Sequence, residues 1–591
     1  MKELEYPFNS ALLLRKRRTL KKELLQNTGF VEKKIAVLGG STTHDIKDML
    51  ELFLLNYGIL PVFYESEYAQ YWQDAVFGND VLDQFHPDII YIHTSSRNII
   101  SWPESSDSLD DVERKIKEQY LHFETVWEKL KSRFNCPVIQ NNFEYLPYRI
   151  MGNKDASDYH GRIHFISRLN LMFYDYAQSH ENFYINDINY QSAAYGVDKW
   201  ANLQSWYLYK YAMSVEAIPD AAFNVSNIIK SVLGKNKKAL ALDLDNTLWG
   251  GIVGDDGSEN LELGQETAVG QAFLEFQQYL KNLKSYGILL NVISKNDFCN
   301  ALSGLNHPQM VLKENEFISI KANWEPKSQN LADMAAELSL LPESFVFVDD
   351  NPAERELIRQ QFGQTAVPEL SQVENYIREI DKAGFFEITS LSQDDLSRNR
   401  MYQENIQRSQ LLNSFDNYDD YLRSLDMTAE IGPFEKMYYS RIAQLTNKSN
   451  QFNLTTLRCT QNEIRDMAES RDYITLCGKL SDKFGDNGVV SLVVGEKTGE
   501  DLKIILWLMS CRVLKRGMEY AMEDALIAAA KKEKIKKIIG SYYPTAKNGM
   551  VKNFYADLGF HKDSEDGAGN SEWELDTSLE FQNRNTVIRV I

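Results

Sequence analysis

"KKALALDLDNTLWGG", Lys237 to Gly251, decides how the middle of the chain is read. Its apolar run ends in two carboxylates two positions apart, Asp243 and Asp245, followed by Thr247 and the pair Gly250–Gly251. Side chains on a strand alternate faces, so residues i and i+2 point the same way. With extended backbone through Leu244, both carboxylates enter one space at the carboxyl edge of a sheet. In open parallel sheets that edge is where ligands bind. Two crowded acids need a partner, and a hard divalent cation supplies one. Taken alone, the pair is equally compatible with an ordinary strand-end turn.

Three further segments extend the pattern. Ser294 closes the strand-like "GILLNVIS" and precedes Lys295 and Asn296. Lys327 lies in "NWEPKSQN", and "SFVFV" ends in Asp349 and Asp350 before "NPAER". A nucleophile with an acid, a hydroxyl, a cation and a metal-binding pair thus arrive in order. Only 51 positions separate Asp243 from Ser294, and 33 separate Ser294 from Lys327. Those intervals hold sheet and helix but no large lid; "WGGIVGDDGSENLELG" (Trp249 to Gly264) suffices for a small flap.

The four segments resemble the FkbH-like branch of the haloacid-dehalogenase (HAD) superfamily, through "LDLDNTLWGGIVGDDG", "NVISKN", "NWEPKSQN" and "FVDDNPAERE". The resemblance implies that Asp243 takes the phosphoryl group and that Asp245 protonates the leaving oxygen and then activates water. It implies that Ser294 and Lys327 hold the phosphoryl oxygens, and that Thr247, Gly250, Gly251 and Asn296 meet the substrate. Mg²⁺ would be held by Asp243, the carbonyl of Asp245, Asp349 and Asp350, with Asp350 the more direct ligand of that pair. A carboxylate is a weak nucleophile, so metal and lysine must neutralise charge at the transferring group. The resemblance also implies the overall reaction: a unit from 1,3-bisphosphoglycerate is dephosphorylated and its glyceryl group is loaded onto an acyl carrier protein through an enzyme thioester, a part that Cys511 fits. Two other readings stand beside it. One is a phosphatase for another small acid or sugar phosphate, with outer domains that only position it. The other is a non-catalytic scaffold.

The expected fold is α/β multidomain, consistent with 591 residues and a length prior of roughly three or four domains. Residues 1–225 alternate strands ("KKIAVLGG", "LPVFYESE", "PDIIYIHTSS", "CPVIQNN") with helical patterns, which predicts a parallel sheet covered on both faces. Gly39, Gly40 and Ser41 resemble the nucleophile turn of SGNH hydrolases. The late Asp-x-x-His of those enzymes is missing, with His44 and His93 the nearest substitutes, so a degenerate SGNH-like domain is expected. Residues 235–385 form the HAD Rossmann-like domain and 386–425 a helical connector. Residues 426–591 resemble the GNAT α+β fold through "YPTAKNGMVKNFYADLGF" and "SCRVLKRGMEYAMEDAL". The glycine-rich acetyl-CoA loop of that fold is reduced here to Gly517. Cys511 stands at this joint beside Arg512, Lys515 and Arg516, cations of the kind that favour a thiolate. A small buried core residue is the competing reading. "NKSNQFNLTT" (Asn447 to Thr456) is expected to line the same site.

Lys and Arg number 64 against 84 Asp and Glu, a net charge of −20, which argues against nucleic-acid or anionic-membrane partners. Five cysteines without a CxxC pair point to a reducing compartment. The opening residues carry no long apolar run and nothing reaches the roughly 18 residues of a membrane span, so the expectation is a cytoplasmic protein. Docking of an acidic carrier would need a local basic patch, for which "KKEKIKKIIG" (Lys531 to Gly540) is a candidate.

Overall fold

In the computed structural model, which describes residues 1–545 and 547–591, the chain folds as two compact units. The first is Met1–Val232 with Glu387–Thr389, and the second is Leu233–Phe386 with Ser390–Ile591. Among the described residues the strands form three sheets, and no helix is long and apolar enough to cross a membrane.

The first unit is built on β1 (Val31–Gly39), β2 (Ile59–Glu65), β3 (Ile89–His93), β4 (Val138–Asn141) and β5 (Phe183–Asn186). They pair in parallel in the order β2-β1-β3-β4-β5. The apolar runs are continuous because both faces are covered: β3 is buried at every position. One face packs on the long helix Leu109–Phe134, whose Phe123 and Trp127 meet Phe143 and Phe173. That helix starts where Ser108 and Asp111 form a reciprocal capping box. β5 adds a fifth strand to the four expected; it is four residues long and only half buried at its centre, so it offers little apolar pattern.

The second unit opens with β6 (Ala239–Leu242), β7 (Leu289–Ser294), β8 (Ser319–Ala322) and β9 (Phe345–Val348), all parallel in the order β8-β7-β6-β9. Alternation sorts its side chains cleanly. Leu240, Leu242, Val346 and Val348 pack on Phe273, Phe276 and Leu280 of the helix Ala268–Ser285. Ala239, Ala241, Phe345 and Phe347 pack on Leu331 and Met334 of the helix Lys327–Glu337. The chain runs outward from β6 to β7 and β8, then returns to add β9 on β6's other edge. The carboxyl ends of β6 and β9 therefore flank the topological switch point, where such sheets bind ligands.

The third sheet contains β10 (Met427–Gly432), β11 (Tyr473–Asp482), β12 (Gly485–Thr498), β13 (Asp501–Met509), β14 (Lys537–Tyr542), β15 (His561–Glu565), β16 (Ser571–Asp576) and β17 (Ile588–Val590). Its order is β15-β16-β14-β13-β12-β11-β10-β17. β13 and β14 are parallel but pair only over Asp501–Ile504 with Lys537–Gly540. Beyond that point they part, and residues 452–455 enter the gap. Leu454 donates to the Trp507 carbonyl (3.1 Å), Met509 to that of Phe452 (3.1 Å), and Tyr543 to that of Leu454 (2.9 Å). Backbone groups that the splay would orphan are thereby satisfied. The polar block "NKSNQFNLTT" is a wedge in this sheet.

Residues 386–425 supply helices Gln393–Leu396, Arg398–Leu412 and Tyr418–Ser424. The middle one buries polar groups. Asn399 donates to the carbonyls of Lys284 and Ile288, and Arg408 forms a two-pronged contact with Asp482 (2.8 and 2.7 Å). It thus ties the four-stranded sheet to the eight-stranded one within the second unit.

Candidate active site

β6 carries Asp243 out at its carboxyl end, still in register, since its N–H donates to the Val348 carbonyl of β9 (2.9 Å). The chain then turns tightly. The Leu244 carbonyl accepts from Thr247 (3.1 Å) and Leu248 (2.8 Å), and Asn246 adopts φ +55°, a left-handed conformation Asn tolerates. This turn aims Asp245 at three donors: Trp249 Nε1 (2.9 Å) and the Val253 N–H (3.0 Å) on Oδ1, and Asn296 Nδ2 (3.0 Å) on Oδ2. The fully buried Trp249 indole lies so close to Gly304 that a Cβ there would come within 2.7 Å of it.

β9 ends in Asp349 and Asp350. Lys327, at the start of its helix and buried, reaches Asp243 Oδ2 (3.0 Å) and Asp349 Oδ2 (2.6 Å). The other Asp349 oxygen accepts from the Asn351 N–H (2.9 Å). One oxygen each of Asp243, Asp349 and Asp350 lie within 4.8 Å of one another. Asp243 Oδ1 is buried with no hydrogen-bond partner among the described residues. Three carboxylates around one ammonium leave two negative charges, and with that orphaned oxygen the site fits a divalent cation.

Electrostatics follow the same crowding. Burial raises the pKa of Asp349 and of Asp350, the Asp243 charge adds to it, and Lys327 opposes. Burial works against the Lys327 ammonium, but Asp243 and Asp349 outweigh it and hold the pKa above the usual lysine value. Burial likewise lifts Asp245, against the pull of the Val253 N–H and the Trp249 indole.

The remaining expected residues cluster around this edge. Ser294 ends β7 and is buried, its carbonyl accepting from Asn323. Asn296 is held on Asp245, and the buried Thr247 hydroxyl accepts from the Asp350 N–H (3.2 Å). The Gly251 N–H donates to Asn246 Oδ1 (3.0 Å), while Gly250 exchanges two backbone bonds with Glu262 (3.1 and 2.9 Å). That exchange closes residues 249–264 into a small flap. Trp249, Asn351 and Arg355 were missed at the sequence level. Arg355 donates to the carbonyls of Asp349 (2.8 Å) and Asp350 (2.7 Å), fixing the turn that displays both acids.

Residues 34–230 match the family model described as the FkbH N-terminal domain. A solved N-terminal part of a Bacteroides fragilis protein, which contains a phosphatase domain and is complexed with Mg, is similar at 29% identity with a TM-score of 0.58; the match covers 63% of this chain and 99% of that one. The ribosomal-protein-S18-alanine N-acetyltransferase of Escherichia coli is similar at 11% identity and a TM-score of 0.21, over 27% of this chain and 100% of that one. No curated protein matches the chain.

Within the FkbH-matching region, Ser41 and His93 are both 1% exposed, and neither the Ser41 hydroxyl nor His93 Nε2 has a hydrogen-bond partner among the described residues. His93 Nδ1 faces the Tyr91 hydroxyl (2.9 Å) and Asn141 Nδ2 (3.0 Å) rather than a carboxylate, and burial lowers its pKa to about 4. His44 is exposed beside Asp48 and Glu65.

Cys511 opens the short turn Cys511–Val513 after β13, its sulfur 4.0 Å from the Tyr402 hydroxyl. It lines a cavity of about 110 Å³. Of the three cations expected near it, only Arg512 lines that cavity. Arg516 turns to Asp482 (3.2 Å), and Lys515 offers its carbonyl to Tyr418. Lys238, Arg398, Arg441 and Lys448 arrive instead from elsewhere in the fold, and Lys448–Phe452 of the "NKSNQFNLTT" block form one wall. Lys238 precedes β6 and Asp243 follows it. Five extended residues, roughly 16 Å, therefore separate the two ends.

Proposed function

We propose that the chain is a Mg²⁺-dependent phosphatase working through Asp243, which prepares a small acyl unit for transfer to a carrier protein. The observation that carries the first half is the Asp243, Asp349 and Asp350 cluster within 4.8 Å, clamped by Lys327 at a sheet switch point. The likeness to the Bacteroides domain supports Mg²⁺ as the cation. Asp243, Asp349, Asp350 and the Asp245 carbonyl would hold it. When bound, it supplies charge neutralisation at the phosphoryl oxygens.

The chain's own residues account for the rest. A carboxylate oxygen of Asp243 attacks phosphorus; a P–O bond forms to it as the bond to the substrate oxygen breaks. Asp245, its pKa lifted by burial, gives that oxygen a proton. Lys327 and Ser294 support the remaining phosphoryl oxygens. Water then attacks phosphorus, yields its proton to Asp245, and releases phosphate and free Asp243. The small flap leaves the mouth open for an extended or tethered substrate.

The substrate we favour is 1,3-bisphosphoglycerate. The Asp243 centre first removes the C3 phosphate by the steps above. Cys511 then attacks the acyl carbon of the remaining glyceroyl phosphate, a C–S bond forms as the thiol proton is lost to solvent, and the C–O bond to phosphate breaks with the electron pair leaving on phosphate. An acyl carrier protein thiol then displaces Cys511 and takes the glyceryl group. The SGNH-like and GNAT-like domains position these partners in the cytoplasm. A second reading, a phosphatase for another small acid phosphate with purely positioning outer domains, draws on the placement of Cys511 and Asp243 at opposite ends of β6. Incubation with Mg²⁺, the bisphosphate and a carrier protein, with phosphate release and intact masses as readouts, separates them. The favoured reaction gives release of the C3 phosphate that Asp243→Asn abolishes, a Cys511 adduct and a heavier carrier. Carrier loading without the adduct removes Cys511 from the reaction, and C3-phosphate release that survives Asp243→Asn overturns the phosphatase.

A further inference from the structure

The cavity at the amino end of β6 is unusual in a chain of net charge −20. Five cations face it, Lys238, Arg398, Arg441, Lys448 and Arg512, against three carboxylates. One of those, Glu343, is already paired with Lys547 (2.6 Å). Asp394 is shared by Arg441 (2.8 Å) and Arg512 (3.2 Å), and Asp395 by Lys448 (3.0 Å) and Arg398. Lys238 forms an ion pair with no carboxylate among the described residues, and it lies within electrostatic range of Cys511. Arg441 Nε is buried without a hydrogen-bond partner among the described residues. The positive charge is thus under-neutralised in a half-enclosed cavity, an arrangement that an anion would complete. Burial, with repulsion from neighbouring cations, holds Lys448 down to about 8 and Arg441 to about 10.

We infer that this cavity is a second ligand site, distinct from the Asp243 centre, which takes the anionic group of a small phosphorylated or carboxylic acid and presents that ligand to Cys511. Size sets the class. About 110 Å³ of space for water-sized groups is room for a small anion such as a three-carbon acid phosphate. Lys238 holds the anion, while Arg441 and Lys448 lend it their unbalanced charge. The choice of ligand rests on the proposed acyl transfer; the existence of the anion site does not.

The test uses the full chain as Asp243→Asn without Mg²⁺, so that the phosphatase centre is silent. Alkylation of each cysteine by iodoacetamide is followed by peptide mass spectrometry, with inorganic phosphate as ligand and chloride at equal ionic strength as reference. Exposed Cys299 is the internal control. The expected result is a saturable slowing of Cys511 alkylation by threefold or more, with Cys299 unchanged. Protection should vanish in Lys238→Met and persist in Lys238→Arg. No protection of Cys511 by phosphate overturns the inference, as does equal protection in a folded Lys238→Met. Should Lys238→Met not fold, the phosphate-against-chloride comparison on the Lys238 protein decides by itself. Protection here, with C3-phosphate release found independent of Asp243, would sink the phosphatase reading and leave this one standing.

Discussion

Asp349 and Asp350 are neighbours in the chain with different duties. Both oxygens of Asp349 are engaged, one by Lys327 and one by the Asn351 N–H, whereas the Asp350 carboxylate accepts no hydrogen bond among the described residues. Asp350→Asn should therefore raise the Mg²⁺ needed for half-maximal phosphate release by about tenfold or more while leaving the melting temperature in place. Asp349→Asn leaves Lys327 paired with Asp243 and relieves the crowding that lifts the Asp349 pKa, so it too should raise the Mg²⁺ requirement, with only a small change in melting temperature. Gly304 tests the outer ring of the site. A Cβ there meets the indole that orients Asp245, so Gly304→Ala should slow phosphate release by about tenfold or more, short of the 10²–10⁴ expected for losing the acid itself, without altering Mg²⁺ affinity. The acids themselves were legible in the sequence because each sits at the end of an apolar run. Their supports were not: Trp249, Asn351 and Arg355 act through contacts that only the turn geometry creates. The surroundings of Cys511 make the same point in reverse, since adjacency suggested Arg516 and the fold sends it to Asp482.

Elements differ in legibility for a physical reason. β6, β7 and β9 are buried on both faces and read as unbroken apolar runs. β8 is a half-buried edge, β15 is exposed throughout, and β17 has three residues, so none offers a pattern. The connector helix Arg398–Leu412 is polar in sequence, yet Asn399 and Arg408 are buried, because their partners are backbone carbonyls and Asp482. The wedge at 452–455 escaped notice because its pairing partners lie more than fifty residues away. It is held by Asn548, whose amide donates to the carbonyls of Asn453 (3.0 Å) and Tyr543 (2.9 Å). Asn548→Ala should cost about 1–3 kcal/mol in denaturant titration. The helix Met518–Lys532 carries a pH-dependent weakness. Neither Glu523 oxygen accepts a hydrogen bond, Arg584 lies 3.8 Å away, and burial pushes the carboxyl from 4.5 to about 8. The folded state thus binds this proton more tightly than the unfolded one. Its stabilising contribution is complete below about 4.5 and is lost as pH rises to about 8. Glu523→Gln should flatten the melting temperature across that window and raise it most at the alkaline end.

At the scale of the whole molecule, the second unit depends on a polar seam. Arg408 on the connector grips Asp482 on the eight-stranded sheet, and Asn399 holds the strand entry at Ile288. Arg408→Met leaves Asp482 with Arg516 alone, so a loss near the low end of the 3–5 kcal/mol range for breaking a buried pair is expected in thermal unfolding. Phosphate release at temperatures below the transition should survive, because the Asp243 cluster is assembled by β6, β9 and Lys327 without that seam.

β6 begins at one chamber and finishes at another, so the proposed reaction would make its intermediate a traveller. If it diffuses freely, mixing Asp243→Asn molecules with Cys511→Ala molecules should rescue carrier loading in trans, each population performing the step its companion lacks. If it stays leashed to a single copy, the blend will do no better than its ingredients.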